Sequence, residues 1–390
     1  MRVIVCCEYR FMQTPDGQVW TSSAFSRAFW QRYLQVFSEV TILARVTPVD
    51  VSESNWHPVT GSGVNLSPLP YYLGLAGLIR KLPALIKTLY RALDNHDAVI
   101  FRVPSQTAML ARLLHPRRPF ALEVVGDPAD VFAAGITRPL LDKLLGRFSA
   151  WQLRRMTKKA VAVSYVTRGY LQQRYPPHPD RPAIACSSIA LSDEWFVSAP
   201  RHYEKRASSL LFVGSFAQLY KGQDVLLQAL HLLKRQGHHY QLTMVGDGKH
   251  LKDMQTLANE LELSDSVVFT GEQPHQKILS CMQRNDVFVL PSRTEGLPRV
   301  MIEAMATGMP AIGSDAGGIP ELLPEECLAK AGSTALLAQR IHQLCSHEDM
   351  LNQCSARNLK VAGDYHQDKL NALRQSFYQS VYQQFRKETS

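Results

Sequence analysis

The sequence predicts an α/β protein of two domains, each a parallel sheet covered on both faces by helices. Three observations carry that prediction. Short apolar runs alternate with longer amphipathic ones, and strands separated by helical segments form parallel βαβ units. The alternation breaks once, over residues 174–209, in a stretch rich in Pro, Ser and charge, and then restarts. A length of 390 residues is long for one core and comfortable for two.

In order, "RVIVCC" (2–7) is expected as a strand and "TSSAFSRAFWQRYLQVF" (21–37) as a helix with Thr21 or Ser22 at its N-cap. "EVTILARV" (39–46), "DAVIFRV" (97–103), "FALEVVG" (120–126) and "KAVAVS" (159–164) are further short buried strands between helical stretches. After the break come the strands "SLLFVGSF", "YQLTMVGDG", "SVVFTG", "DVFVLPS" and "MPAIGSD". The helices "GQDVLLQALHLLKRQG", "HLKDMQTLANELEL" and "HQKILSCMQRN", and one after Pro298, lie between them. The tail "DKLNALRQSFYQSVYQQFRK" is one amphipathic helix with aromatics at 377, 378, 382 and 385 on a helical face. The expected domains are 1–195 and 205–362.

Composition bounds the class. Hydrophobic residues make up 45% and charged residues 20%, as in ordinary globular chains. The opening apolar run ends at Glu8, too short for a signal peptide, and no stretch approaches the roughly 18 apolar residues of a membrane span. Seven cysteines lack metal-ligand spacing, and Cys6 and Cys7 point to opposite faces of a strand; buried free thiols in a reducing cytoplasm are expected. The net charge of +9 belongs to the first half. Residues 1–200 carry 23 Lys+Arg against 14 Asp+Glu, and residues 201–390 carry 20 against 20. Such a surface suits nucleic acid, anionic lipid headgroups or a phosphorylated substrate, or is simply a solvated basic face.

In open α/β sheets ligands bind outside the carboxyl ends of the strands. "PSRTEGLP" (291–298) leaves one strand and enters a helix with Pro298 expected near N1, where a missing N–H costs nothing. Gly296 lets backbone approach a ligand closely. The amides of Leu297, Arg299 and Val300 are expected among the unsatisfied donors of the helix start, an anion site. Glu295 at the turn can accept hydrogen bonds from sugar hydroxyls. Glu303, about one and a half turns into the helix, can bind a ribose 2′,3′-diol, two donors matched to two oxygens. Alone, Glu303 is equally a solvated helix residue and Glu295 a first-turn acid favoured by the dipole.

The segment "SRTEGLPRVMIEAMATGMPAIGSDAGGIPEL" (292–322) resembles the E-x7-E signature of family 4 retaining glycosyltransferases, and the resemblance extends over most of residues 209–325. It implies a GT-B fold: two Rossmann-like α/β/α domains facing a central cleft, the acceptor on the N-terminal domain and a nucleotide-sugar donor on the C-terminal one. It also implies that the last helix, 366–390, crosses back to complete the N-terminal domain. Within that pattern Gly214 closes a strand, and Lys221, beside another helix start, is the counter-charge for a diphosphate. The family often has an arginine after that glycine; here Ser215 takes the position, leaving Lys221 as the principal cation with Arg299 as a helper. Gly246 opens the Gly-Asp-Gly turn that resembles the loop near the nucleotide. The segment with Gly271, Gln273 and Ile278 resembles the one that reads the base, Ile278 as an apolar wall. In the first half, Gly17 lies in a loop placed between first strand and first helix, where backbone nears the sugar or phosphate. Gly126-Asp127 stands where many members carry His-Asp, which makes Asp127 the candidate to orient or deprotonate the acceptor hydroxyl.

The implied reaction is a front-face, retaining transfer with Lys221, Glu295 and Asp127 as catalytic candidates and no metal or other cofactor, since no DxD motif is present. UDP-glucose is the leading donor, with GDP-mannose and UDP-GlcNAc open. The acceptor is expected to be a saccharide or lipid-linked saccharide in polysaccharide biosynthesis. The tracts 71–93 and 138–160, apolar with clustered Lys and Arg, suit peripheral contact with an anionic membrane surface on its cytoplasmic face, or amphipathic helices packed on the sheet. No nucleic-acid partner is expected. A nucleotide-sugar epimerase or hydrolase and a non-catalytic nucleotide-sugar-binding protein remain alternatives. An NAD-dependent oxidoreductase is disfavoured because "CCEYRFMQTPDG" lacks G-x-G-x-x-G.

Overall fold

Runs such as Val3–Val5, Ile42–Ala44 and Ala98–Ile100 are wholly excluded from water, as strands covered on both faces require. The computed structural model describes residues 1–94, 97–133 and 139–389. The chain divides into two units, Met1–Cys186 with Asn371–Ser390, and Ser187–Leu370. Arg138, which opens the basic tract 138–160, and Ser390 lie outside the described residues.

In the first unit, strands β1 (Arg2–Gln13), β2 (Val19–Thr21), β3 (Glu39–Pro48), β4 (His57–Pro58), β5 (Val64–Leu69), β6 (Ala98–Val103), β7 (Ala121–Val124), β8 (Val163–Tyr165) and β9 (Ala183–Ala185) form one sheet. Its parallel body runs β5-β3-β1-β6-β7-β8-β9, and β2 and β4 extend it antiparallel. The centre is β1, with Val3 opposite Val40 of β3 on one side and Ala98 of β6 on the other. The final helix, Gln367–Thr389, buries Phe377, Tyr378 and Phe385. Tyr378 stacks on Tyr33 at 4.6 Å.

Four expectations need correction. The first strand does not stop at Cys7. It shifts register against β3 between Cys6 and Arg10 and continues to Gln13, so residues 14–18 form a hairpin turn to β2 rather than a strand-to-helix loop. The helix expected over 21–37 shrinks to Arg27–Gln31 and a 3-10 turn, Arg32–Gln35, with Ser26 rather than Thr21 or Ser22 at its N-cap. Thr21 is instead a buried strand residue whose hydroxyl meets those of Tyr9 and Ser23, each at 3.0 Å. Next, the strand expected over 159–164 falls at Val163–Tyr165, because the preceding helix runs on to Lys159. Lastly, the stretch from 174 hides β9, which pairs with β8.

In the second unit, β10 (Ser209–Val213), β11 (Gln241–Val245), β12 (Val267–Phe269), β13 (Val287–Leu290), β14 (Ala311–Ser314) and β15 (Leu328–Ala329) lie in the order β12-β11-β10-β13-β14-β15, all parallel. The order reverses between β10 and β13, the topological switch point where such sheets open a crevice at their carboxyl ends. Residues 187–204 belong to this unit rather than to a free linker. The Arg201 guanidinium donates to the carbonyls of Met282, Asn285 and Thr307 at 2.7–2.9 Å, capping two helix ends.

All seven cysteines are free and six are buried. Burial pushes the Cys7 thiol up to about 12, so it is inert at neutral pH. Among the described residues no helix is long and apolar enough to cross a membrane, and no group of three His, Cys, Asp or Glu is placed to hold a metal ion.

Candidate active site

The switch point brings together the loops after β10 and β13. Glu295 Oε1 receives the Lys221 ammonium and, at 2.9 Å, the Ser292 hydroxyl. Both charged side chains are largely withdrawn from water, so their attraction is only weakly screened.

Backbone contacts fix the pair. Arg293 N donates to Tyr220 O at 2.7 Å, and the Arg293 guanidinium grips Asp224 with two bonds of 2.8 and 2.7 Å, so the two loops are clamped across their bases. Gly222 adopts φ +76°, and a Cβ there would stand 2.1 Å from Pro291 O. Gly317 adopts φ +58°, where a Cβ would lie 1.8 Å from Glu295 O, while Gly318 N donates to Gly296 O at 2.7 Å. Only glycine permits both approach and conformation. The glycine loop after β14 therefore lies directly on the turn that presents Glu295.

Helix Arg299–Ala306 begins at this turn. Pro298, extended at φ −72° and ψ 108°, is its N-cap rather than its N1 residue, one position earlier than expected. Among the described residues the amides of Leu297, Arg299 and Val300 donate to no protein acceptor. Leu297 is buried, Val300 half-buried, and the Arg299 side chain is exposed. Glu303, half-buried, also lacks a hydrogen-bond partner among the described residues. Burial pushes its carboxyl up to about 7, with the Arg299 guanidinium pulling the other way. A carboxylate poised between charged and neutral gains most from a ligand that donates hydrogen bonds to it.

Three further glycines meet beside β10. Gly214 N donates to Val245 O at 3.0 Å and Gly246 N to Gly271 O at 2.9 Å, which joins the ends of β10, β11 and β12. Ser215 is exposed, and its hydroxyl accepts from Ala217 N at 3.1 Å. Gln273 turns inward to donate to Thr270 O at 2.6 Å, and Ile278 is half-buried on helix His275–Arg284. No contact among the described residues joins Gln273 or Ile278 to the Lys221–Glu295 pair.

The two first-half candidates sit differently. Gly17, at φ +85°, serves the hairpin turn: its N donates to Thr14 O at 2.9 Å and its carbonyl accepts from the Gln13 amide at 3.1 Å. Asp127 is buried and occupied. Its Oδ1 accepts from Ala129 N at 2.8 Å and from the Tyr175 hydroxyl, and Arg174 Nε lies 2.7 Å from its Oδ2. It opens helix Pro128–Ala133 and anchors Arg174, so the geometry makes it a positioning residue rather than an accessible base.

Sequence reasoning missed several members. Ser292 is fully buried, orients Glu295, and has its own carbonyl held by the Ser314 hydroxyl. Gln223, also fully buried, donates to Ser215 O at 2.9 Å and shapes the loop ahead of Lys221, with its Oε1 unpartnered among the described residues. Thr294 Oγ1 is likewise enclosed without a partner among the described residues. Ser292 and Thr294 stand within the motif already singled out; a polar residue directly after Lys221-Gly222 was the available sign for Gln223.

Residues 198–361 match the family model "Glycosyl transferases group 1". The chain is 26% identical over 366 residues to Protein CapJ of Staphylococcus aureus, covering 91% of this chain and 89% of that protein. It is 31% identical over 244 residues to the putative colanic acid biosynthesis glycosyltransferase WcaL of Escherichia coli K12, 59% of this chain and 58% of that one. Sucrose-phosphate synthase from Thermosynechococcus elongatus superposes with a TM-score of 0.72 at 15% identity, over 98% of this chain and 99% of that one. HepE of Anabaena, in complex with UDP-glucose, superposes with a TM-score of 0.66 at 14% identity, over 97% and 100%. The structural likenesses establish the GT-B fold, and with the family match over residues 198–361 and the sequence relatives they support a glycosyltransferase.

Proposed function

We propose that the chain is a retaining, metal-independent glycosyltransferase that moves a hexose from a nucleotide sugar, UDP-glucose in the leading case, to a saccharide or lipid-linked saccharide during polysaccharide biosynthesis. The observation that carries this reading is the Lys221–Glu295 pair, seated at the switch point beside the amides of Leu297, Arg299 and Val300, which meet no acceptor among the described residues. Support for a UDP-sugar comes from HepE, solved with UDP-glucose, and for the pathway class from WcaL.

In this reading the diphosphate lies on the amides of Leu297, Arg299 and Val300, and Lys221 supplies the fixed positive charge. The bond between the sugar's anomeric carbon and the phosphate oxygen breaks, leaving an oxocarbenium-like sugar. The acceptor oxygen bonds to that carbon on the same face, and its proton passes to the departing phosphate oxygen. Glu295, freed in part from Lys221 by the phosphate, accepts from sugar hydroxyls. Glu303 takes the ribose diol. Gly214, Ser215, Gly246 and Gly271 form the loop edges around the donor, Gln273 and Ile278 the base side, and Gly296 and Pro298 the turn. The basic surplus of the first half suits an acceptor carried on an anionic membrane surface.

A thermal-shift screen against UDP-glucose, GDP-mannose and UDP-GlcNAc, followed by turnover with and without EDTA, tests it. Stabilisation by one nucleotide sugar and a transferred sugar of retained anomeric configuration are expected, with no loss in EDTA. Release of free sugar at the same rate without acceptor would make the chain a hydrolase. Loss in EDTA restored by Mg²⁺ or Mn²⁺ would remove metal independence.

A further inference from the structure

Helix Pro139–Lys159 of the first unit carries a solvent face of unusual composition. Leu140, Leu144, Phe148 and Trp151 recur at helical spacing along it, and each is between 50% and 80% exposed. Leu141 beside them and Leu113 on the neighbouring helix Gln106–Leu114 widen the stripe. Six of the helix's charged residues are basic, and its one acid, Asp142, is buried. Lys143 and Arg147 stand among the apolar residues, and Arg154, Arg155, Lys158 and Lys159 extend the exposed face. Arg155 lies over the Trp151 ring at 4.8 Å, and the Phe148 and Trp151 rings are 5.8 Å apart. A groove of about 270 Å³ runs between the two helices, its apolar side made by Leu113, Pro116, Trp151 and Met156 and its edge by Arg155 and Lys159.

A helix that only covers the sheet places polar residues on its outer face. Leucines and aromatics interleaved with Lys and Arg and free of exposed acid suit one occupant: the boundary between anionic headgroups and acyl chains, where apolar side chains enter and cations pair with phosphates. The second tract, 71–93, exposes fewer large apolar side chains among its described residues and no aromatic pair. Its exposed large apolar residues, Leu73, Ile79 and Tyr90, stand far apart along the chain, and Tyr90 stacks on His115 at 4.9 Å.

We infer that the outer face of helix Pro139–Lys159, with the Leu113 edge of the groove, is an interfacial docking surface for an anionic lipid bilayer. It rests on the reading of a membrane-borne acceptor and locates the contact. The full-length chain is mixed with vesicles of phosphatidylcholine alone or of phosphatidylcholine with phosphatidylglycerol. Co-sedimentation is expected only with the second. Trp151 emission, isolated by comparison with Trp151→Phe, is expected to shift to the blue. Phe148→Ser with Trp151→Ser removes most binding. Arg155→Gln and Lys159→Gln each weaken it about fivefold, the loss for one interfacial cation. These side chains are exposed, and an unchanged circular dichroism spectrum confirms the fold. Equal binding to neutral vesicles, no binding to either, or undiminished binding by the double serine variant overturns the inference. So does a dimer in solution that the double variant dissociates, which would assign the face to a second copy. Thermal stabilisation by UDP-glucose is measured in the same variants. Its absence in the parent chain breaks the donor reading and leaves the vesicle result standing; its retention in the variants with vesicle binding lost supports both.

Discussion

The two units place carboxylates near the carboxyl ends of parallel strands and use them in opposite ways. In the first unit each is consumed internally. Glu8 accepts from Tyr72, Ser105 and Thr107 and pairs with Arg45 at 2.8 Å. Glu123 accepts from Tyr33 and Tyr378 and pairs with Arg102. Burial alone would raise the Glu123 pKa, and the guanidiniums of Arg102 and Arg32 outweigh it and hold the carboxyl below its usual range. Asp127 is spent on Arg174, Tyr175 and a helix start. In the second unit Glu303 has no partner among the described residues, and Glu295 is held by the Ser292 hydroxyl and by one ammonium that a phosphate can draw away. Satisfied buried charges organise a fold; an unsatisfied one beside free amides is a place for a ligand.

The sharpest way to break this comparison is to remove the charge that faces the diphosphate. Lys221→Met is expected to lower turnover by about 10²–10³, the loss typical of one preorganised electrostatic contact. Steady-state kinetics with UDP-glucose checks it, and near-normal turnover would detach the pair from catalysis.

Gly317→Ala tests the backbone that presents Glu295. The new Cβ meets Glu295 O, so the turn must move and the residue must hold a left-handed conformation, at a cost of about 1–3 kcal/mol. Urea unfolding reads that loss, and donor affinity falls with it.

Asp127→Asn tests the other side of the contrast. It leaves Arg174 without its anion, and the expected loss is one of stability, about 1–3 kcal/mol, with turnover per folded molecule unchanged. A collapse of turnover in a fully stable variant would return Asp127 to the catalytic set.

The smallest effect is in pH. A donor that gives hydrogen bonds to Glu303 binds its charged form, so affinity weakens as pH falls below about 7, and Glu303→Gln flattens the profile. Without donor the sign reverses. Between 4.5 and about 7 the folded chain keeps a proton that the unfolded chain releases, so stability falls as pH rises through that window. Titrating donor affinity and the unfolding midpoint across that range checks both signs.

Much of the second unit was legible because its signals are local. Strand, glycine turn and helix start follow one another within "DVFVLPSRTEGLPRV", and Glu295, Pro298 and the free amides need only that order to be placed. Ser292 and Gln223 were not legible as site residues, because their roles depend on which loops meet. In the first unit two of the failures share a cause. A helix is expected over residues 21–37, yet β1 runs on with β3 past the end of its pairing with β6 and draws Val19–Thr21 into a hairpin, which leaves only Arg27–Gln35 to turn helically.

The sequence by itself determined the alternation of strands and helices, the basic surplus of the first half and the acid-glycine-proline turn with its second acid eight residues on, since periodicity, charge and turn chemistry are properties of neighbouring residues. Only the tertiary structure decided that Lys221 reaches Glu295 across 74 positions of chain, that Asp127 is already occupied, and that Leu140, Phe148 and Trp151 face outward. Those facts depend on strand order and on which helix face the sheet covers, and long-range packing sets both.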